Sequence, residues 1–149
     1  TPLQKANFAR INFLKKFSKL VGYSDHSVAT DKNKNLASEL AIYFGAKYIE
    51  RHLRILNFEK TKDGIVSILP KDILEIKQFS KLSKNDMRIY FKEKYNIKPE
   101  KFYGTSKRKL SFEETLNRDY YKGRFVSRIK ENNLFIDIYN WEDAKITNE

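Results

Sequence analysis

The chain has 149 residues, enough for one domain that buries about two thirds of its unfolded surface. It contains no cysteine, which excludes a disulfide framework and a thiolate metal site and fits a reducing compartment. No apolar run approaches the roughly 18 residues of a membrane span, and no signal-peptide pattern is visible. The sequence therefore predicts a cytoplasmic protein with no membrane partner.

The formal net charge is +11, from 30 Lys and Arg against 19 Asp and Glu. The lysines are spread along nearly every segment, and the densest groups are Lys15–Lys19 and Lys107–Lys109. A charge run without a groove-reading motif is usually a solvated face, so we expect no nucleic-acid partner. A basic nucleic-acid-binding module with structural histidines is the alternative from another class.

The first half of the chain has the plan of a β-α-β unit. Apolar spacing from Ala6 to Leu20, after a helix-starting Thr-Pro, predicts an amphipathic helix. Leu20–Ser24 and Lys47–His52 have strand character, and each of these apolar runs leads to a histidine. Between them lie a polar loop and a helix-length stripe that Gly45 can close.

His26 and His52 are the two histidines of the chain. Alternation along a strand places Ser24 with His26 on one face of the first strand and Glu50 with His52 on one face of the second. If the strands are parallel neighbours, both imidazoles converge at the same end of a sheet, where they could hold a divalent metal. Histidines at strand ends are more often ordinary polar residues than metal ligands, so the spacing by itself is compatible with either role.

The motifs around these histidines point to a known family. Gly22–Ser27 reads GYSDHS and Gly45–His52 reads GAKYIERH. This pair of blocks closely resembles the sialic acid synthase family, whose members carry Gly-x-Ser-Asp-His-Thr/Ser and Gly-Ala-x-x-Ile-Glu-Lys/Arg-His in this order. Members of that family condense phosphoenolpyruvate with N-acetylmannosamine, or a related acylamino sugar, to a nine-carbon 2-keto sugar acid and release phosphate. The reaction takes place on a (β/α)8 barrel.

A full barrel of that kind needs about 200 residues or more, so this chain cannot contain all of it. The resemblance therefore implies an α/β fold that is a partial (β/α)8 TIM barrel: its last two strands with flanking helices. We expect the chain to be the carboxyl-terminal part of a longer enzyme, starting just after the sixth barrel strand.

The resemblance also implies roles for individual residues. His26 and His52 would ligate Mn2+ or Mg2+, and Ser24 would contact the phosphate of phosphoenolpyruvate. Glu50 is expected to line the barrel lumen or support the metal ligands, and Asp25 is expected beside them in a supporting role.

The resemblance weakens after His52. The family's Gly-Pro-Asp-His block, whose aspartate helps hold the sugar, is reduced to Asp63-Gly64, so Asp63 is either a substrate ligand or part of a simple turn. The family also commonly has an aromatic residue and a threonine after this histidine, where this chain has Leu53-Arg54. These two departures leave open a divergent relative without catalytic activity. Acid-base and phosphate-binding residues are expected on earlier strands, so the isolated chain is predicted to be inactive.

The second half predicts a helical extension and a hairpin. Apolar spacing predicts helices over Pro70–Leu82 and Asn85–Lys94, with Ile73, Ile76 and Phe79 among the buried positions of the first. We expect the aromatic residues of the second helix in the core rather than stacked on bases. A basic loop leads to a capping box at Ser111 and Glu114. Two runs of alternating apolar and polar residues follow, around residues 124–129 and 134–138, and they predict the two strands of a hairpin.

From these elements we assign residues 1–83 to the barrel portion and 84–149 to the extension. In the family, a connector at this place leads to an antifreeze-like domain that reaches the active site of a partner subunit. The resemblance therefore implies a homodimer for the full-length enzyme.

Overall fold

The computed structural model describes residues 3–107, residue 112, and the backbone of residues 126–131 and 134–139. The chain divides into two compact units, Thr1–Lys107 and Arg108–Glu149. Among the helices of these described residues, none is long and apolar enough to cross a membrane.

The first helix, α1, spans only Ala9–Leu14. It is preceded by a short 3-10 turn and by Asn7, whose φ of 50° places its backbone in the left-handed region. The Asn7 side chain accepts a hydrogen bond from the Thr105 amide at 3.1 Å, which holds this turn. The predicted helix from Ala6 to Leu20 is therefore wrong in its length, and Phe17 and Leu20 of the predicted stripe are exposed.

Two parallel strands and the helix between them form the centre of the first unit. Strand β1 is Gly22–Asp25, helix α2 is Leu36–Tyr43, and strand β2 is Tyr48–Arg51. Gly45, with a φ of 94°, ends α2 in a conformation that favours glycine. The register pairs Gly22 with Tyr48, Tyr23 with Ile49, Ser24 with Glu50, and Asp25 with Arg51. The predicted β-α-β unit is confirmed.

The two faces of this small sheet differ. Tyr23 and Ile49 pack against the core, in which Leu40 and Ala41 of α2 are fully buried. The opposite face carries exposed residues, Ser24 and Glu50 among them. Beyond β2, Leu53 forms an isolated parallel bridge with Ile68, and the Ile68 amide donates a hydrogen bond to the His52 carbonyl at 2.9 Å. Successive side chains of a strand point to opposite faces, so His26 and His52 lie on the same open face as Ser24 and Glu50.

Two further helices close the core of the first unit. Helix α3 spans Pro70–Phe79 and helix α4 spans Lys84–Tyr95, as the apolar spacing predicts to within a few residues. Ile76, Phe79 and Phe91 are buried, which confirms the core role of these positions, whereas Ile73 is exposed and its predicted burial is wrong.

The boundary predicted between residues 83 and 84 falls inside the first unit. Helix α4 belongs to this unit because Tyr90 and Tyr95 donate hydrogen bonds to Glu39 of α2. The same contacts confirm that these tyrosines pack against the core.

The second unit contains an antiparallel hairpin. Strand β3, Val126–Glu131, pairs with strand β4, Leu134–Tyr139, from Val126 opposite Tyr139 to Glu131 opposite Leu134. This confirms the predicted hairpin. The predicted capping box at Ser111 and Glu114 lies outside the described residues.

Candidate functional site

The two histidines meet at the carboxyl ends of the parallel strands. His26 follows β1 directly and His52 follows β2 directly, so the register that aligns Asp25 with Arg51 also aligns the histidines. Their Nε2 atoms lie 3.1 Å apart, and the ring centroids are separated by 4.9 Å at an interplanar angle of 61°. The predicted convergence of the two imidazoles is confirmed.

This separation suits two ligands of one cation. Two imidazole nitrogens bound at about 2.1 Å to one ion lie about 3.0–3.4 Å apart, depending on the bond angle. The observed 3.1 Å falls in that span. It equally suits a hydrogen bond between two neutral rings, one donating and one accepting. Within the part of the chain that the structure describes, no group of three or more His, Cys, Asp or Glu side chains is arranged to hold a metal.

Asp63 approaches the far side of one of these rings. Its Oδ2 lies 3.5 Å from His52 Nδ1, and both side chains are partly exposed. A carboxylate near this nitrogen favours a proton on Nδ1, which leaves the Nε2 lone pair directed at His26. The structure thus places Asp63 beside the histidine pair, within reach of a molecule bound there.

Ser24 and Glu50 lie opposite each other in the register, one position before the strand ends. Both are exposed, and alternation places them on the same side of their strands as the histidines. A hydroxyl donor, a carboxylate and two imidazoles therefore share one open face.

A cleft of about 450 Å³ opens beside Ser24 and His26. Its wall includes Asp31, Asn33 and Lys34 of the polar loop between β1 and α2. Lys34 is held against Asp72 of α3 by an ion pair of 3.0 Å, which ties this wall to the core. The cleft is large enough for a small polar substrate.

Asp25 lies on the other side of the sheet from the histidines. Its Oδ1 accepts hydrogen bonds from Arg51 Nη1 at 2.7 Å and from the Ser27 amide at 2.8 Å, and its Oδ2 accepts one from Ser38 Oγ at 2.5 Å. Arg51 and Ser38 did not stand out in the sequence. The strand register was the available signal, because parallel pairing of the two motifs places Arg51 opposite Asp25.

Tyr23 lines the same cleft from the start of the strand. Burial raises the pKa of Tyr23 to about 12, the negative charge of Asp25 adds to the rise, and the positive charge of Arg51 opposes it. Tyr23 therefore stays a neutral phenol at physiological pH, and it packs against the core.

Comparison with known proteins gives two matches of different kinds. A model of the NeuB family matches residues 1–87. The crystal structure of the spore coat polysaccharide biosynthesis protein SpsE from Bacillus subtilis is similar to the chain, with a TM-score of 0.57 and 20% sequence identity. The match covers 93% of this chain and 39% of that one, so this chain spans well under half of the solved protein. No match is found among curated proteins.

Proposed function

The chain belongs to the NeuB family, and on this premise we propose that it is the carboxyl-terminal part of a sialic-acid-synthase-like barrel. The parallel pairing of β1 and β2 around α2 supports this proposal. The isolated parallel bridge between Leu53 and Ile68 supports it further, because it places the chain just before α3 parallel to the end of β2. The remaining strands of the barrel would come from sequence outside these 149 residues.

The reaction we propose is the condensation of phosphoenolpyruvate with N-acetylmannosamine or a related acylamino sugar. Carbon 3 of phosphoenolpyruvate bonds to the aldehyde carbon of the open-chain sugar, water adds at carbon 2, and inorganic phosphate leaves. The product is a nine-carbon 2-keto sugar acid. The approach of the His26 and His52 Nε2 atoms to 3.1 Å on the open face is the observation that carries this proposal.

Each site residue of this chain would have its own role in the proposed reaction. His26 and His52 hold a Mn2+ or Mg2+ ion, which when bound acts as a Lewis acid on the sugar aldehyde. Asp63 orients His52 through its Nδ1 and faces the sugar. Ser24, exposed on the same strand as His26, donates a hydrogen bond to the phosphate. Glu50 lines the same face.

Groups that bind the carboxylate of phosphoenolpyruvate and move protons would lie on the earlier strands of a full barrel. We therefore expect the isolated chain to bind metal without turning over substrate. Phosphate release from phosphoenolpyruvate and an acylated mannosamine by this chain alone would contradict that expectation. In the full-length enzyme we propose a homodimer.

The test of the proposed site is Mn2+ binding, measured by calorimetry and by the loss of the free Mn2+ signal in electron paramagnetic resonance. We expect one site in the wild-type chain that is lost in His26→Ala and in His52→Ala, because two imidazoles leave little redundancy. Glu93→Ala, which removes an exposed carboxylate of α4, is the matched control and should bind as the wild type does.

Two results would contradict the proposal. One is a wild-type chain that does not bind Mn2+, and the other is binding that survives both histidine substitutions. Salt-dependent association with a DNA duplex, unchanged in His26→Ala and His52→Ala, would instead support a basic nucleic-acid-binding module.

A further inference from the structure

The residues that immediately precede the two histidines bind each other across the strands. Asp25 Oδ1 and Arg51 Nη1 are 2.7 Å apart, and each side chain is only 1% exposed. They are the last register pair before the strands end. A charged hydrogen bond in this buried setting is strong and geometrically specific, so it holds the two strand ends at one separation.

The same pair also holds the backbone around His26. Arg51 Nη1 donates a second hydrogen bond, of 3.1 Å, to the backbone carbonyl of Asp25, which is the carbonyl of the peptide bond to His26. On the other side, the Asp25 carboxylate accepts the Ser27 amide at 2.8 Å and closes a turn over His26. The backbone on both sides of His26 is thus tied to the residue that precedes His52.

From these contacts we infer that Asp25 and Arg51 are positioning residues that set the separation of the His26 and His52 imidazoles. The inference rests on the proposed function in so far as that separation serves a cation. In the part of the chain that the structure describes, the hydrogen bonds of Asp25 and Arg51 reach the backbone beside His26 and neither imidazole, so they act through the peptide bonds that lead to the histidines.

The hydrogen bonds that Arg51 donates show which of its nitrogen atoms links it to Asp25. Its Nε and Nη2 are buried and have no hydrogen-bond partner in the described part of the chain, so the contacts with Asp25 all run through Nη1. One cationic donor would therefore suffice, and lysine should replace arginine here. Ser38 offers a contrast, because it binds the Asp25 Oδ2 from helix α2 and takes no part in the link between the strands.

The experiment compares Asp25→Asn, Arg51→Met, Arg51→Lys and Ser38→Ala in the full 149-residue chain. We measure Mn2+ affinity, the ring-to-ring nuclear Overhauser effect between His26 and His52 in metal-free protein, and the melting temperature. Asp25→Asn and Arg51→Met should weaken Mn2+ binding about tenfold, the lower end of the range for residues behind metal ligands, and should lose the ring contact. Arg51→Lys should keep both, and Ser38→Ala should keep both even though it lowers the melting temperature.

Three results would overturn the inference. The first is wild-type affinity and ring contact in Asp25→Asn, and the second is failure of Arg51→Lys to restore what Arg51→Met loses. The third is a loss in Ser38→Ala as large as in Arg51→Met at a similar melting temperature. A wild-type chain that does not bind Mn2+ refutes the proposed metal site, and the ring contact in metal-free protein still decides whether the pair positions the histidines.

Discussion

Glu39 of helix α2 is fully buried, and its two carboxylate oxygens are held by different side chains of helix α4. Tyr95 donates to Oε2 at 2.7 Å, whereas Oε1 accepts from Tyr90 at 2.7 Å and lies 3.4 Å from Lys94 Nζ. Burial raises the pKa of both tyrosines, and their hydrogen bonds to Glu39 raise it further. Both tyrosines therefore remain neutral donors at neutral pH.

Oε2 of Glu39 has Tyr95 as its donor, whereas Oε1 has both Tyr90 and Lys94. We therefore predict that Tyr95→Phe destabilises the protein more than Tyr90→Phe. A hydrogen bond to a charged group contributes about 1.5–3 kcal/mol, and a buried acceptor left without a donor adds its desolvation cost. Tyr95→Phe leaves Oε2 without its donor, so we expect a loss of about 2–3 kcal/mol in the free energy of unfolding. Tyr90→Phe leaves Lys94 beside Oε1, and the half-exposed lysine should limit the loss to about 1–2 kcal/mol.

The assay is urea unfolding followed by circular dichroism at neutral pH, with the slope against urea compared among variants. Tyr48→Phe removes an exposed hydroxyl and should change stability by no more than about 0.5 kcal/mol. The double variant Tyr90→Phe/Tyr95→Phe should be non-additive because both hydroxyls bind one carboxylate. Equal losses from the two single variants, or a larger loss from Tyr90→Phe, would refute this account of Glu39.

Three further predictions concern pH and backbone conformation. Burial raises the pKa of Asp72, but its bonds to the Leu69 amide and to Lys34 lower it overall, so its stabilising contribution is present above about pH 4 and lost as pH falls. Urea unfolding of Asp72→Asn should be less sensitive to acid. The pKa of Tyr23 is raised to about 12, so its contribution to stability is present below about pH 10 and is lost as pH rises from there to about 12. The melting temperature of Tyr23→Phe should therefore fall less steeply than that of the wild type over this pH range. Gly45→Ala should cost about 1 kcal/mol at a φ of 94°, measurable as a lower melting temperature, and an unchanged value would contradict the role of glycine there.

Local patterns in the chain predicted most of the elements correctly. The β-α-β unit, the close of α2 at Gly45 and the hairpin of β3 and β4 all follow from alternation, helical spacing and turn chemistry over a few neighbouring residues. The helix expected to continue to Leu20 shows the limit of that reasoning. Its apolar spacing is helical, but Asn7 turns the chain before it and Phe17 is exposed, so tertiary contacts outweighed the local preference.

The candidate site, too, was predictable from the sequence only in part. Alternation determined which faces carry His26 and His52, because successive side chains of a strand point to opposite sides. Only the tertiary structure decided that their nitrogens lie 3.1 Å apart, that Asp63 reaches His52, and that a buried arginine binds Asp25 behind them. Such contacts join residues far apart in the chain, and they depend on strand register and packing, which local backbone geometry does not specify.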